Sequence, residues 1–126
     1  MSFDPAVEVS PYTLFRRLRE GDPPRLVDLR PRAAVTLRGA VAVAGWVPEA
    51  GEEAVLFDDD GGGALERARA LQAAGFSRVR ALFGGLRLYD FALDPAVVGG
   101  ERFLSARRNV SRRRSTRGRS PGSSAP

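Results

Sequence analysis

The stretch that decides the fold runs from Ala54 to Phe76 and reads AVLFDDDGGGALERARALQAAGF. It opens with a short apolar run, Ala54 to Phe57, which is typical of a buried strand. The sequence turns helical from Ala64, and Gly75 stands where a helix C-cap is expected. Between strand and helix lies a polar loop made only of aspartates and glycines. This order of strand, loop and helix predicts one unit of an α/β domain.

The rest of the chain repeats that pattern on both sides of the deciding stretch. The remaining expected elements are a helix capped by Ser10 and ended by Gly21, strands at 26–29, 40–43 and 79–83, a helical turn at 33–37 and a short helix at 86–91. Strands that are apolar at nearly every position indicate a sheet buried on both faces. We therefore predict an α/β fold, with a small parallel sheet flanked by helices on both faces.

The composition removes several kinds of chemistry. All 20 basic residues are arginine, and the 126 residues include no Cys, His or Lys. The chain therefore offers no thiolate nucleophile, imidazole base, Schiff-base lysine, disulfide or thiolate zinc site. We assign no catalytic residue, no cofactor and no metal site, and the length suits a single domain.

The positive charge is concentrated at the C-terminal end. Residues 105–126 hold seven arginines and no acid, whereas residues 1–104 hold 13 arginines and 15 acids. We predict a folded domain over 1–104 and a disordered Arg/Ser-rich basic tail over 105–126. The tail is suited to weak, nonspecific, salt-sensitive contact with nucleic acid, because it lacks aromatic residues for base stacking. We favour the interpretation of a solvated tail without a dedicated partner, and a nucleic-acid-binding adaptor that acts through this tail is the alternative.

The sequence also carries an expectation about location. The N-terminal residues include an acid, Asp4, and no apolar run, which is unlike a signal peptide. The longest nearly uncharged stretch, 39–48, is too short to cross a bilayer. We expect a soluble, cytoplasmic protein with no membrane partner.

Across roughly residues 7 to 92 the chain resembles a rhodanese-like, sulfurtransferase-type domain. The matching pieces are Val9-Ser10-Pro11, Leu26-Val27-Asp28-Leu29-Arg30-Pro31, Val55-Leu56-Phe57, Ala70-Leu71-Gln72-Ala73-Ala74-Gly75-Phe76 and Val79-Arg80-Ala81-Leu82-Phe83-Gly84-Gly85-Leu86. No single piece is diagnostic, but together they follow the family's order and spacing. The resemblance implies a rhodanese-like fold.

The resemblance also places Asp58 where that family carries its persulfide-forming cysteine. A carboxylate cannot form a persulfide, so sulfur transfer through this loop is excluded chemically. The expected function is that of a catalytically inactive member, which acts as a binding or regulatory module for an unknown protein or small-molecule partner.

The vestigial active-site loop is the predicted binding segment. It consists of Asp58, Asp59, Asp60, Gly61, Gly62, Gly63 and Ala64. Two geometries are open. Either the loop amides converge on an open pocket and retain an anion site, or the aspartates fold back and cap the helix that follows.

Two further residues are expected beside this pocket. Asp28 and Arg30 fall on the family's Asp-x-Arg piece. We interpret them as a structural ion pair or a loop anchor rather than as catalytic groups.

An enzymatic alternative rests on the same aspartates. The run from Val55 to Gly61 resembles the Asp-x-Asp-Gly signature of haloacid-dehalogenase-type phosphatases. In that case Asp58 is the nucleophile, Asp60 is the general acid/base, and Mg²⁺ supplies the counter-charge. Against it, such enzymes carry the motif on their first strand, and they need a later basic residue, usually lysine, and a further acidic pair. The chain has no lysine, and Asp90 and Asp94 substitute poorly for that pair.

Overall fold

A five-stranded parallel sheet lies at the centre of the computed structural model, which describes residues 2–93 and 102–106. The elements in chain order are β1 (Glu8–Val9), α1 (Pro11–Arg19), β2 (Arg25–Asp28), β3 (Val35–Leu37), β4 (Val41–Ala42), a 3₁₀ turn (Val43–Gly45), β5 (Ala54–Phe57), α2 (Gly62–Ala73), β6 (Val79–Leu82), α3 (Gly85–Ala92) and β7 (Leu104–Ala106). The strand order is β1-β6-β5-β2-β4, and every neighbouring pair is parallel. β5 is the middle strand, and the predicted α/β fold class is confirmed.

Alternate residues of each strand contribute to two separate cores. The core beneath α1 and α3 includes Leu14, Phe15, Val55, Phe57 and Tyr89. The core beneath α2 includes Ala54, Leu56, Ala64, Ala68 and Val79. Because successive strand residues point to opposite faces, β5 supplies both cores, and all four of its residues are buried. This two-sided burial is the physical reason for the uninterrupted apolar run.

Helix α1 forms as the sequence predicts. The Ser10 hydroxyl accepts the amide of Thr13 at 3.2 Å, and Pro11 occupies the first helical position, where its missing N–H is not needed. Leu14 and Phe15 are buried in the core shared with α3. Beyond the helix Gly21 adopts a φ of 77°, a conformation that glycine takes without strain.

The expected helical turn at 33–37 is wrong. Residues Val35–Leu37 form strand β3, which pairs with β7 in a separate two-stranded antiparallel sheet. Contacts from elsewhere in the chain hold this segment extended. Arg30 donates to the carbonyl of Val35, Thr36 donates to the carboxylate of Asp28, and Leu37 is fully buried. Such contacts override a weak local preference for helix.

Several other element boundaries differ from the prediction, most of them by one or two residues. Only Val41–Ala42 of the expected strand at 40–43 is extended, and β1 was not predicted at all. The pairing of β7 includes Ser105 and Ala106, the first residues assigned to the tail. The remainder of that predicted tail, 107–126, lies outside the described residues. None of the helices within the described ranges has the length and apolar character that crossing a membrane requires.

Candidate functional site

The predicted binding loop lies at the carboxyl end of β5, the middle strand of the sheet. Ligands of open α/β sheets bind at this edge. Asp58 follows the last strand residue directly, and α2 begins at Gly62. Gly61 bridges the two with a φ of 92°, which lets the chain turn sharply into the helix. The sequence therefore placed the start of this loop correctly, but it set the helix start two residues late, since Gly62, Gly63 and Ala64 belong to α2.

The carboxylate of Asp58 is folded back onto the amides of its own loop. Its Oδ1 atom accepts the amide of Gly61 at 2.6 Å, and its Oδ2 atom accepts the amide of Ala64 at 3.1 Å. These amides belong to the turn that starts α2, where the helix dipole favours negative charge. The Asp58 carboxylate therefore occupies the amide donors that an anion from solution would otherwise bind.

The other two aspartates have separate partners. Asp60 accepts the amide of Gly62 through Oδ1 at 2.9 Å, and Asp59 accepts a hydrogen bond from Arg30 at 3.1 Å. The side chain of Asp59 is 66% exposed. Three amides of the loop therefore donate to its own aspartate side chains, and the acidic groups of Asp59 and Asp60 are left at the surface.

The first turn of α3 holds the loop from the other side. The carbonyl of Asp58 accepts the amide of Leu86 at 2.9 Å, and that of Asp59 accepts the amide of Arg87 at 3.0 Å. Gly85 lies so close that a Cβ atom there would stand 2.5 Å from the carbonyl oxygen of Asp59. The Gly84-Gly85 pair therefore permits a close backbone approach, which the sequence showed only as a tight turn.

Asp28 and Arg30 form a buried ion pair next to the loop. Arg30 donates to Oδ1 and Oδ2 of Asp28, each at 3.0 Å, and Thr36 donates to Oδ2 at 2.8 Å. The side chains of Asp28 and Arg30 are only 3% and 13% exposed. Nothing in the sequence indicated a role for Thr36, because its hydroxyl reaches Asp28 only when residues 35–37 form strand β3.

Opposing effects set the charge state of this pair. Burial by itself raises the pKa of Asp28, but the hydrogen bonds from Arg30 and Thr36 outweigh it, and the net pKa lies below the ordinary value. The hydrogen bond with Asp28 raises the pKa of Arg30 against its own burial. Both groups are therefore charged at neutral pH.

Arg30 connects this buried pair to the candidate loop. One of its terminal nitrogens donates to Asp59, and the other donates to Asp28 and to the carbonyl of Val35 in β3. Its guanidinium carbon lies 5.9 Å from the ring centroid of Phe57, the last residue of β5. Arg30 is thus a bridge between β2, β3 and the loop.

The geometry of the loop does not favour the alternative of a Mg²⁺-dependent phosphatase. Asp58 is engaged with the start of α2, and Asp60 bonds to Gly62, so neither carboxylate is free of loop amides. Within residues 2–93 and 102–106, no group of three or more acidic side chains is arranged to hold a metal ion. The Arg30 guanidinium already provides a positive partner for the acidic loop.

Comparison with known proteins supports the architecture. No protein-family model matches the chain, and a sequence search of curated proteins finds no match. Among solved structures, a rhodanese-related protein from Thermoplasma volcanium is similar over 68% of this chain and 92% of its own, with a TM-score of 0.53 at 9% identity. A protein from Lactobacillus plantarum is similar over 68% of this chain and 83% of its own, with a TM-score of 0.55 at 20% identity.

These likenesses concern the fold, since sequence identity is low in both cases. The five-stranded parallel sheet with its three helices matches a rhodanese-like fold. One fold can host many functions, so the function of this chain depends on the chemistry of its loop.

Proposed function

We propose that this rhodanese-like domain is inactive as a sulfurtransferase and acts as a binding or regulatory module. The observation that carries the proposal is the pair of hydrogen bonds from the amides of Gly61 and Ala64 to the carboxylate of Asp58. Asp58 is a fixed carboxylate at the position where the rhodanese-like family carries its persulfide-forming cysteine, and the chain contains no cysteine.

Two physical effects oppose anion chemistry at this loop. An incoming anion has to displace the Asp58 carboxylate from its amide donors, and a hydrogen bond to a charged group contributes about 1.5–3 kcal/mol. It also meets the negative charge of Asp58, and two like charges about 4 Å apart near a protein surface repel by about 4 kcal/mol. Thiosulfate, a dianion, is disfavoured by both effects.

The exposed side of the loop indicates what kind of partner it suits. Asp59 and Asp60 present carboxylates to solvent. The carbonyl of Asp59 is held by the amide of Arg87 in α3, and the side chain of Asp60 is held by the amide of Gly62 in α2. A rigid acidic surface of this kind favours a positively charged protein or small-molecule partner over an anionic one. As part of this proposal, the protein acts in the cytoplasm.

The activity test is thiosulfate:cyanide sulfur transfer, with an active sulfurtransferase as positive control. We expect thiocyanate formation at the rate of a sample without protein. Turnover clearly above that background overturns the proposal.

A binding test examines the loop directly. Amide chemical shifts are followed by NMR while sulfate is added to the wild type, to Asp58→Ala and to Asp60→Ala. We expect saturable shifts at Gly61 and Ala64 only in Asp58→Ala, because that change alone frees both amides. Asp60→Ala removes the same charge but keeps both bonds, so it serves as the matched control. Sulfate binding at these amides in the wild type contradicts the proposal.

A further inference from the structure

A cleft of about 350 Å³ lies on the α1 face of the sheet, away from the Asp58 loop. It is bordered by α1, by parts of β1 and β6, and by the N-terminal residues around Phe3. From β5 it receives Ala54 and Val55, at the opposite end of that strand from Asp58. Its volume is in the range of small-molecule sites.

Much of the cleft wall is apolar. Phe3, Val9, Leu14 and Val55 all contribute to it. Phe3 is kept in place by an edge-to-face contact with the ring of Phe83, at 5.3 Å between centroids. A ligand that enters this cleft therefore contacts hydrocarbon over a large part of its surface.

The N-terminal wall is pinned by Glu8, a cleft residue that is only 5% exposed. Its Oε1 atom accepts the amide of Asp4 at 2.9 Å, and its own amide donates to the carbonyl of Asp4 at 2.7 Å. This reciprocal pair holds the segment that carries Phe3 and Pro5 against β1. We therefore assign Glu8 a structural role in the wall.

A second ion pair closes the end of the cleft near the start of β5. Both terminal nitrogens of Arg17 donate to Glu53, at 2.8 and 2.9 Å. The hydrogen bond from Arg17 lowers the pKa of Glu53, and the same bond raises the pKa of Arg17. Arg17 and Glu53 thus pair with each other, and Glu53 also lies 3.7 Å from a terminal nitrogen of Arg78.

Arg80 is the exception among the charged residues of the cleft. It is half-buried, and within the part of the chain that the structure describes its side chain makes no hydrogen bond and no close ion pair, although its charge helps to lower the pKa of Glu53 from a longer distance. It pairs in register with Val55, so its side chain projects to the α1 face, where the cleft lies. A half-buried guanidinium without an acceptor is costly unless an anion or water satisfies it.

We propose that this cleft binds a small organic monocarboxylate with an apolar body, whose carboxylate pairs with the guanidinium of Arg80. A planar guanidinium matches a carboxylate in a bidentate arrangement, and the apolar wall accommodates the rest of the molecule. The Glu8 carboxylate in the wall repels an anion more strongly as the charge of that anion increases, so a monocarboxylate is favoured over a multiply charged anion.

The test is an NMR titration of the full chain with hexanoate, with hexylammonium and 1-hexanol as probes of the same apolar length. We expect saturable shifts at Val9, Thr13 and Arg80 with hexanoate, and affinity at least about tenfold weaker for the other two probes. Equal affinity for the three probes overturns the role of charge. Tighter binding of hexylammonium assigns recognition to Glu8 and overturns the proposal as well.

The matched variants are Arg80→Gln and Arg67→Gln. Arg67 is an exposed residue of α2, on the other side of the sheet, so its loss controls for net charge. We expect Arg80→Gln to weaken hexanoate binding about tenfold or more and Arg67→Gln to leave it unchanged. Unchanged binding in Arg80→Gln contradicts the proposal, and if that variant fails to fold, the comparison of the three probes on the wild type decides. The hexanoate result does not depend on the Asp58 loop, so it can succeed or fail separately from the proposal that the domain is inactive as a sulfurtransferase.

Discussion

The Oδ2 atom of Asp58 accepts the backbone amide of Ala64 at 3.1 Å, so a side chain at the end of β5 caps the first turn of α2. Its Oδ1 atom accepts the amide of Gly61 in the same loop. One carboxylate thus fixes both the exit of the strand and the start of the helix. A Cβ atom on Gly63 would stand only 2.9 Å from Oδ2, so the loop is closely fitted around this side chain.

Replacement of Asp58 by alanine removes both hydrogen bonds and the favourable charge at the helix N-terminus. We expect the free energy of unfolding to fall by about 1–2 kcal/mol, as for the loss of a strong helix cap. Urea denaturation measures this. Asp60→Ala removes one exposed bond to Gly62, and its expected cost is below about 1 kcal/mol. Equal losses in the two variants would contradict a special role for Asp58.

Much of the α/β architecture was predictable because its signals are local. The apolar run of β5 reflects burial by helices on both sides, and Ser10 and Pro11 mark the start of α1 through capping chemistry. β3 was missed for the opposite reason. It is held extended by β7, nearly seventy residues further along the chain, and by side chains of Asp28 and Arg30.

The site was predictable in position but not in geometry. The sequence placed Asp58 between a strand and a helix, and it left open whether the carboxylate faces a ligand or its own loop. The bond from Arg30 to Asp59 joins residues 29 positions apart and depends on β2 and β5 being neighbours. No local pattern carries that information.

Acid should weaken the fold through Asp28. Its pKa in the folded protein is lowered, since the bonds from Arg30 and Thr36 outweigh burial, whereas the unfolded chain has an ordinary aspartate pKa of about 4. The stabilisation is present above the unfolded value and is lost as the pH falls through the folded one. We expect the free energy of unfolding to decline below about pH 4 in the wild type.

Asp28→Asn separates this contribution from general acid effects. At neutral pH the variant should lose about 3 kcal/mol, the lower end for a broken buried pair, because Arg30 keeps only the exposed carboxylate of Asp59 as a counter-charge. The acid slope that remains should be shallower, with Glu53 still contributing, since its pKa is also lowered. Thr36→Val is the milder variant, with an expected loss of about 1 kcal/mol. Parallel pH profiles of wild type and Asp28→Asn would refute the assignment.

The close approach at Gly85 should make this position intolerant of any side chain. Gly85 has a φ of 66°, and a Cβ atom would collide with the backbone of Asp59. Gly39 has a φ of 85° but open space around its Cα atom, so Gly39→Ala isolates the backbone strain, about 1–2 kcal/mol. We expect Gly85→Ala to lower the free energy of unfolding by clearly more than Gly39→Ala. Thermal unfolding of the two variants measures the difference, and equal losses would mean that the loop yields to the new methyl group.

The pairing of β7 gives a sharp boundary for testing the basic C-terminal segment. Deletion of 107–126 keeps Ser105 and Ala106, which pair with β3, whereas deletion of 104–126 removes the whole strand. The first deletion should leave the free energy of unfolding nearly unchanged and abolish any binding to DNA. The second should also destabilise the domain by more than about 1 kcal/mol, because β3 loses its partner strand and Leu104 no longer packs against the core that contains Leu37.

The salt dependence of DNA binding tests the same segment. Because 107–126 contains seven arginines, a plot of log affinity against log salt concentration should have a slope no steeper than about −6. DNA binding that survives the shorter deletion, or that is insensitive to salt, would assign the contact to the folded domain instead.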